Sequence, residues 1–307
     1  MAQQSTIEWT DTTWNPVIGC RKVSSGCKNC YAERMAKRLA AMASADRESG
    51  RNPGKKAAYL KVLTPSGRWN GSVFLDESAV EDPLSWRSPR VIFVNSMSDL
   101  FHEDVPLDFV ARILDVARRS PQHTYQVLTK RPHRVVEMDA ELDWPGNVWM
   151  GTSVEDSRVL DRVHQLQQTS AKVKFLSVEP LLGPIPRLPL EGIDWVIVGG
   201  ESGPGARPMD GAWVRQIRDR CNRYRIPFFF KQWGGTNKAL TGRTLDKRTW
   251  DDMPALAHHH LNGESDAGRV TRRRRSAYPG QAPNSSGIPE RLVADSGPRT
   301  NQSLALL

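Results

Sequence analysis

Three of the four cysteines in the sequence lie within one stretch of eleven residues. Cys20, Cys27 and Cys30 have the spacing C-x6-C-x2-C, and a run with helical spacing follows directly. Three thiolates this close together can fill three corners of one metal site. Zinc would need a fourth ligand, such as Cys221 or a histidine, and structural zinc sites usually come as two paired cysteine knuckles. A [4Fe–4S] cluster held by three cysteines leaves one iron open to a substrate or cofactor, and it fits this spacing better.

The composition predicts a soluble globular protein. The 307 residues are 38% hydrophobic, and no apolar run reaches the length of about 18 residues that a membrane span needs. The N-terminus lacks the basic and then apolar layout of a secretory signal, so we expect a cytoplasmic protein with no membrane partner. In that reducing compartment, clustered thiols are more often metal ligands or redox groups than disulfides. The net charge of +9 is compatible with nucleic acid, with phosphate-bearing small molecules or with solubility alone.

Short apolar runs alternate with amphipathic helical segments along most of the chain. The runs are rich in aromatic and β-branched residues, which is typical of strands buried on both faces. This alternation predicts a parallel sheet with crossover helices, and the lack of an early glycine-rich fingerprint favours a barrel over a doubly wound sheet. We therefore predict an α/β fold, a partial (β/α) barrel of about six to seven parallel strands. The predicted strands are a short one in WNPVIG and then 90–96, 124–129, 147–153, 173–179, 195–201 and 227–232.

The sequence divides into a barrel region and a tail. Residues 1–257 carry the strand and helix pattern, and residues 45–75 within them are rich in Gly, Pro and charge. That composition indicates an insertion or a mobile loop. Residues 258–307 are rich in Gly, Pro, Ser and Arg without a sustained apolar period, so we predict a disordered extension there.

Polar residues end nearly every predicted strand. The carboxyl ends of parallel strands meet on one rim of a barrel, where binding sites form, so we predict a site there with the cysteines opening onto it. For the Asn, Ser and Asp residues at 95–99, the alternative interpretation is helix capping. For the carboxylates, the alternative is ion pairing with Lys130, Arg131, Arg207 or Lys231. The strand-end residues that could bind a ligand are Asn95, Ser96, Ser98, Asp99, Ser153, Glu155 and Glu179, and the candidates for catalysis are Glu179, Glu201 and Lys231.

Seven blocks of the sequence, in order, resemble one protein family. They lie between about residues 5 and 256 and include GCKNCYAERMAKR, NSMSDLFHEDVP, VLTKRP, SVEPLLGP, VIVGGESGPGARPM and FFFKQWGG. Together they resemble a phage-associated, radical-SAM-like family that is also spread through bacterial genomes. The wider radical S-adenosylmethionine superfamily usually has the spacing C-x3-C-x2-C, so the first gap here is three residues longer.

The resemblance implies a fold and a chemistry. The fold would be a partial barrel of the radical SAM type, with a [4Fe–4S] cluster on Cys20, Cys27 and Cys30 and with S-adenosylmethionine at the end of the second strand. An electron donor of the flavodoxin or ferredoxin type would drive cleavage of that cofactor to a 5′-deoxyadenosyl radical. The phage link and the basic charge favour DNA, RNA or a nucleotide as the substrate that is modified or repaired. The alternative from another class is a zinc-stabilised nucleic-acid-binding module without catalysis.

Overall fold

Strands and helices alternate through most of this computed structural model, which describes residue 5, residues 7–254 and residues 271–272. The strands are β1 Thr12–Trp14, β2 Val17–Ile18, β3 Phe74–Leu75, β4 Val91–Val94, β5 Thr124–Thr129, β6 Val148–Ser153, β7 Val173–Val178, β8 Trp195–Gly199, β9 Phe228–Gln232, β10 Asp252–Met253 and β11 Thr271–Arg272. The helices are α1 Tyr31–Glu48, α2 Leu107–Arg119, α3 Pro132–Met138, α4 Asp161–Gln168, α5 Gly211–Tyr224 and α6 Lys238–Thr241.

Seven of the strands form one sheet that curls into a half-barrel. Its order is β1-β4-β5-β6-β7-β8-β9, and every neighbouring pair is parallel. The strands therefore all end on the same rim, as a parallel barrel requires. The predicted α/β partial barrel of about seven parallel strands is confirmed.

The first strand of the sheet lies earlier than WNPVIG predicts. Thr12–Trp14 pairs with β4, whereas Val17–Ile18 leaves the sheet and pairs antiparallel with β3. Pro16 separates the two, and proline has no N–H to donate to a strand partner. The six other strands fall within the predicted runs.

Helices cover the outer face of the sheet. α2, α3 and α4 follow β4, β5 and β6, and α5 joins β8 to β9. The connection from β7 to β8 has no helix between 179 and 194, because four prolines in that segment (Pro180, Pro184, Pro186 and Pro189) prevent regular helical hydrogen bonding.

Alternate strand residues build two separate hydrophobic layers. One layer packs the outer face of the sheet against the helices and includes Ile92, Met150 and Leu176 together with Phe109 of α2 and Ile217 of α5. The other lies on the concave face and is largely aromatic, with Trp9, Phe93, Trp149, Phe175, Trp195, Ile197, Phe229 and Met253. Burial of each such ring stabilises the fold by about 2–3 kcal/mol, so the concave face of the half-barrel is filled by a packed core at this layer.

The segment 45–75, predicted as an insertion or a mobile loop, is packed onto α1. It contains the end of that helix and a 3-10 helix, Gly54–Leu60, and its residues Tyr59, Val62 and Trp69 are buried. They share a small hydrophobic core with Ala32 and Ala36 of α1. The segment is therefore an ordered part of the fold.

The predicted tail at 258–307 lies outside the described residues apart from β11, which pairs antiparallel with β10. Chain contacts group Met1–Arg273 into one unit, and the second unit, Arg274–Leu307, lies wholly outside the described residues. Of the helices in the described part of the chain, none combines the length and the apolar character that crossing a bilayer would require.

Candidate functional site

Four contacts hold the cysteine loop, residues 19–30, on the carboxyl-end rim of the half-barrel. Each contact joins a loop residue to a residue that follows a different strand. Gly19 forms a bridge with Ser98, Arg131 donates to the carbonyl of Arg21 (3.1 Å), Ser24 donates to Glu155 (2.6 Å) and Asn29 donates to Glu201 (2.9 Å). The prediction that the cysteines open onto the rim is thereby confirmed.

The three cysteines of this loop are free and half-buried. Cys20 follows β2, Cys27 ends a single 3-10 turn, and Cys30 directly precedes α1. Burial raises the pKa of the Cys20 thiol to about 12, and the charges of Asp99, Cys30 and Cys27 add to the rise. The three thiols are thus electrostatic neighbours.

The cysteine loop offers three thiols, which is the donor set of an iron–sulfur cluster that keeps one iron open. The fourth cysteine, Cys221, is fully buried on α5 within the outer hydrophobic layer, so it is separated from the loop by the sheet's core. Within the described residues, no three His, Cys, Asp or Glu side chains, the three cysteines of the loop included, are grouped closely enough to hold a metal ion. The loop would therefore have to draw its thiols together to hold a cluster.

Asn95 directly follows β4 and is a polar residue of the rim whose side-chain atoms lack hydrogen-bond partners in the described part of the chain. It is only 3% exposed, and neither its amide nitrogen nor its amide oxygen has a hydrogen-bond partner among the described residues. A buried amide without partners costs about 1–3 kcal/mol per group, so such groups are rare in folded proteins. This side chain is therefore prepared to bind a ligand that both donates and accepts hydrogen bonds.

The neighbours of Asn95 are occupied within the protein. Asn15 accepts hydrogen bonds from the Ser96 hydroxyl (3.1 Å) and from the amide of Met97 (3.0 Å). The Ser98 hydroxyl donates to the carbonyl of Val17 (2.8 Å). These contacts fix the turn after β4 to the start of the chain, which narrows the predicted cofactor site at this strand to Asn95.

Asp99 has no acceptor capacity left for a cofactor. Its carboxylate receives hydrogen bonds from the Thr129 hydroxyl (2.7 Å), the amide of Lys130 (3.1 Å), the amide of Phe101 (3.0 Å) and the guanidinium of Arg131 (3.0 Å). A carboxylate offers about four acceptor positions, and these donors fill them. Asp99 thus holds Arg131 in place, and its role in cofactor binding stays a prediction.

Arg131 in turn links three parts of the rim. It is 1% exposed, it pairs with Asp99 and with Glu103 (2.9 Å), and it donates to the cysteine loop at Arg21. Burial opposes ionisation of Glu103, but the hydrogen bond from Arg131 outweighs it and lowers the pKa of Glu103 to about 2.

We expect Asp99→Ala to lower the free energy of unfolding by about 3 kcal/mol or more, because it strands a buried guanidinium and three further donors. Urea unfolding of the full-length protein measures this change. Glu77→Ala is the matched control, since it removes an ion pair with Arg112 that lies on the surface, and we expect little change from it. Equal losses in the two variants would contradict the role given to Asp99.

Glu155 and Glu179 keep free acceptor positions. Glu155, after β6, is fully buried and receives hydrogen bonds from Ser24 and from Arg162 (3.0 Å), with Lys130 at 3.8 Å. Gly26 lets the cysteine loop approach this carboxylate, because a Cβ there would lie 2.3 Å from it. The candidate Ser153 is also buried, and its backbone carbonyl accepts a hydrogen bond from Arg162.

Glu179, after β7, pairs with Lys231 of β9. The Lys231 ammonium lies 3.0 Å from its carboxylate, and the Ser177 hydroxyl donates to the other oxygen at 3.1 Å. Gly199 makes room for this pair, because a Cβ there would lie 2.7 Å from the Glu179 carboxylate. The pair lies above the aromatic layer, with the ammonium 5.9 Å from the ring centre of Trp9.

Glu201, after β8, is saturated in the same way as Asp99. Arg207 donates to it through its side chain (2.8 Å) and its amide (3.0 Å), and Asn29 donates at 2.9 Å. Burial opposes ionisation, yet the hydrogen bonds from Arg207 lower the pKa of Glu201 to about 2. Glu201 thus anchors the cysteine loop through Asn29, and its catalytic role stays a prediction.

The depressed pKa of Glu201 predicts a pH dependence of stability. Because the folded-state pKa lies below the ordinary value of 4.5, the ion pair contributes fully above about pH 4.5 and its contribution disappears as the pH falls towards 2. The shift corresponds to about 3 kcal/mol. Urea unfolding at successive pH values should show a shallower fall in the free energy of unfolding between pH 5 and 2 for Glu201→Gln than for the wild type. Parallel curves would contradict this account.

The rim carboxylates are therefore ion-paired, which was the alternative interpretation of their position in the sequence. Lys130, Arg131, Arg207 and Lys231 each lie beside at least one carboxylate, as that alternative predicts. Four further polar residues that hold the site together were not predicted from the sequence: Asn15, Ser24, Asn29 and Tyr31. Their position in the sequence could have indicated them, because each is a polar side chain within or next to the cysteine stretch and must reach the rim that the cysteines face.

One family model matches the chain. It covers residues 4–254, which is nearly all of the described part, and its description is "Protein of unknown function (DUF5131)". Neither a curated protein nor a solved structure gives a match. The chain belongs to the family that bears this description.

Proposed function

We propose that the protein is a cytoplasmic iron–sulfur enzyme of the radical S-adenosylmethionine type that modifies or repairs a nucleic acid or nucleotide. The observation that carries the proposal is the position of three free thiols on one loop, which lies on the carboxyl-end rim beside the unpartnered amide of Asn95. In parallel barrels, ligands bind at this rim.

Cys20, Cys27 and Cys30 would hold a [4Fe–4S] cluster. When bound, such a cluster passes an electron from a flavodoxin or ferredoxin to S-adenosylmethionine and so generates a 5′-deoxyadenosyl radical. The remaining work belongs to the chain itself. The Asp99–Arg131 pair fixes the loop, and the aromatic layer closes the floor of the half-barrel against water.

The residues with unused hydrogen-bonding capacity would bind the cofactor. Asn95 can donate to the carboxylate of its methionine part and accept from the ammonium group. Glu155 and Glu179 can each accept a ribose hydroxyl, because only two hydrogen bonds reach each carboxylate from the described residues. Lys231 is the candidate for contact with the substrate, since its ammonium is held at the rim by Glu179.

Anaerobic reconstitution with iron and sulfide tests the proposal. The loaded protein should be brown, dithionite should bleach it, and chromatography should detect 5′-deoxyadenosine after incubation with S-adenosylmethionine. A colourless protein that carries zinc and leaves S-adenosylmethionine intact would overturn the proposal in favour of a zinc-stabilised binding module.

A further inference from the structure

The positive charge of the chain is concentrated in one segment. Residues 19–71, from the cysteine loop through α1 to the turn before β3, contain twelve Lys and Arg but only three Asp and Glu. This excess of nine equals the net charge of +9 of the whole chain, so the rest of the sequence is electrically balanced. We call these residues the basic lobe.

The cations of the basic lobe face solvent and largely lack acidic partners. Two of its three acidic residues are already used: Glu33 pairs with Lys22 (2.6 Å), and Asp46 pairs with Lys56 and Arg51. Eight exposed cations of the basic lobe form no ion pair with a carboxylate of the described residues: Arg21, Lys28, Arg34, Lys37, Arg38, Arg47, Lys61 and Arg68.

The rim shows the opposite arrangement. Lys130, Arg131, Arg207 and Lys231 all have carboxylate partners. A polyanion would therefore find neutralised cations at the rim and unneutralised ones on the basic lobe directly beside it. Lysine and arginine side chains that contact phosphates release the counterions condensed on a nucleic acid, so unpaired surface cations are the groups that drive nucleic-acid binding.

Aromatic and apolar side chains lie among these cations on the exposed face of α1. Tyr31, Met35 and Met42 are 50%, 42% and 45% exposed, and they alternate with Arg34 and Arg38. The hydroxyl of Tyr31 donates to the carbonyl of Ser96, which holds the ring at the rim next to Cys30. An exposed, fixed ring among cations is the arrangement on which unpaired bases stack.

A lipid surface fits this helix less well. Membrane-surface helices insert a broad apolar face into the bilayer. The apolar face of α1, with Ala32, Ala36 and Ala43, is already buried against the rest of the protein. The exposed face is mainly charged, so a polyphosphate backbone is the better complement.

We propose that the basic lobe binds single-stranded nucleic acid, with phosphates along α1 and one base stacked on Tyr31 at the edge of the cysteine site. α1 is about 27 Å long, which is enough to face several successive nucleotides. The proposal that the lobe binds nucleic acid rests on its charge and exposure alone. Only the proposal that the bound strand is the enzyme's substrate rests on the proposed function. The strand would lead the neighbouring base to the rim.

Fluorescence anisotropy of labelled oligonucleotides with the full-length, cluster-free protein tests the binding surface. We expect single strands to bind more tightly than duplexes of the same sequence. With about four phosphate contacts, affinity should fall roughly 50-fold between about 50 and 200 mM salt. Because no cluster is needed, failure of radical chemistry and failure of this inference would be seen separately.

Two pairs of variants assign the binding to the lobe. Arg38→Glu with Arg68→Glu should weaken binding by at least about tenfold, whereas Arg187→Glu with Arg223→Glu, exposed positions outside the lobe with the same change in net charge, should not. Tyr31→Ala should weaken single-strand binding about tenfold, and Tyr31→Phe should weaken it less, because phenylalanine keeps the stacking ring but loses the hydroxyl that holds it.

Three results would overturn the inference. Equal weakening by both charge-reversal pairs would show a response to net charge alone. Equal affinity for Tyr31→Ala and the wild type would remove the stacked base. Binding to anionic phospholipid vesicles without binding to any oligonucleotide would assign the lobe to a membrane surface instead.

Discussion

Replacing any one of Cys20, Cys27 or Cys30 by Ala should abolish the loading of an iron–sulfur cluster. Each thiolate would hold one iron, and the fourth cysteine, Cys221, lies in the outer hydrophobic layer and could not substitute for a missing one. Iron and sulfide content and the visible absorption of anaerobically reconstituted protein measure the loss. Formation of 5′-deoxyadenosine should disappear with the cluster.

Cys221→Ala is the matched control for these variants. The thiol is fully buried on α5 among residues of the outer hydrophobic layer, so it lies apart from the cysteine loop and from the rim. We expect unchanged cluster loading from Cys221→Ala. Loss of metal in that variant alone would instead support a site with four cysteines. Far-ultraviolet circular dichroism separates loss of the cluster from loss of the fold, because the sheet is held by the two hydrophobic layers and not by the loop.

The strands and crossover helices could be predicted because local pattern determines them. The run 124–129 is the strand β5 residue for residue, and α2 ends one residue before the end of the predicted segment 107–120. The first strand could not be placed as well. Thr12–Trp14 is a strand only because β4 lies beside it, and that neighbour is about 80 residues away in the sequence.

Which residues lie on the rim could be predicted from the sequence, but the roles of those residues could not. Position at a strand end puts Asp99, Glu155, Glu179 and Glu201 on one rim, and this follows from the parallel topology alone. Their availability depends on how many donors reach each carboxylate, and those donors come from distant segments: Arg131 reaches Asp99, and Asn29 reaches Glu201. Such tertiary contacts leave no periodic signal in the sequence.

The packing of residues 45–75 could not be predicted from the sequence, for a related reason. Gly, Pro and charged residues dominate the segment, so its local pattern is that of a loop. Its order depends on three separated residues, Tyr59, Val62 and Trp69, which meet the small alanine face of α1. Only the close approach that alanines allow makes this contact, and neither segment alone predicts it.

Asn95→Leu should have opposite effects on cofactor binding and on stability. Loss of two hydrogen bonds of about 1.4 kcal/mol each should weaken the binding of S-adenosylmethionine by the cluster-loaded protein about 100-fold. The same change replaces a buried amide without partners by an apolar side chain of similar volume, so the free energy of unfolding without the cofactor should rise by about 1 kcal/mol. Calorimetric titration and urea unfolding measure the two effects.

Ser98→Ala is the control that separates a ligand-binding residue from a structural one near the same strand end. Its hydroxyl donates to the carbonyl of Val17, so its loss should lower stability by about 1 kcal/mol and leave cofactor affinity unchanged. The two variants should therefore change stability in opposite directions, and only Asn95→Leu should change affinity. A destabilised Asn95→Leu protein with normal affinity would mean that the amide serves the fold. A weakened affinity in Ser98→Ala alone would restore the wider assignment to the strand end, because it would show that the cofactor reaches past Asn95 to the turn held by Asn15.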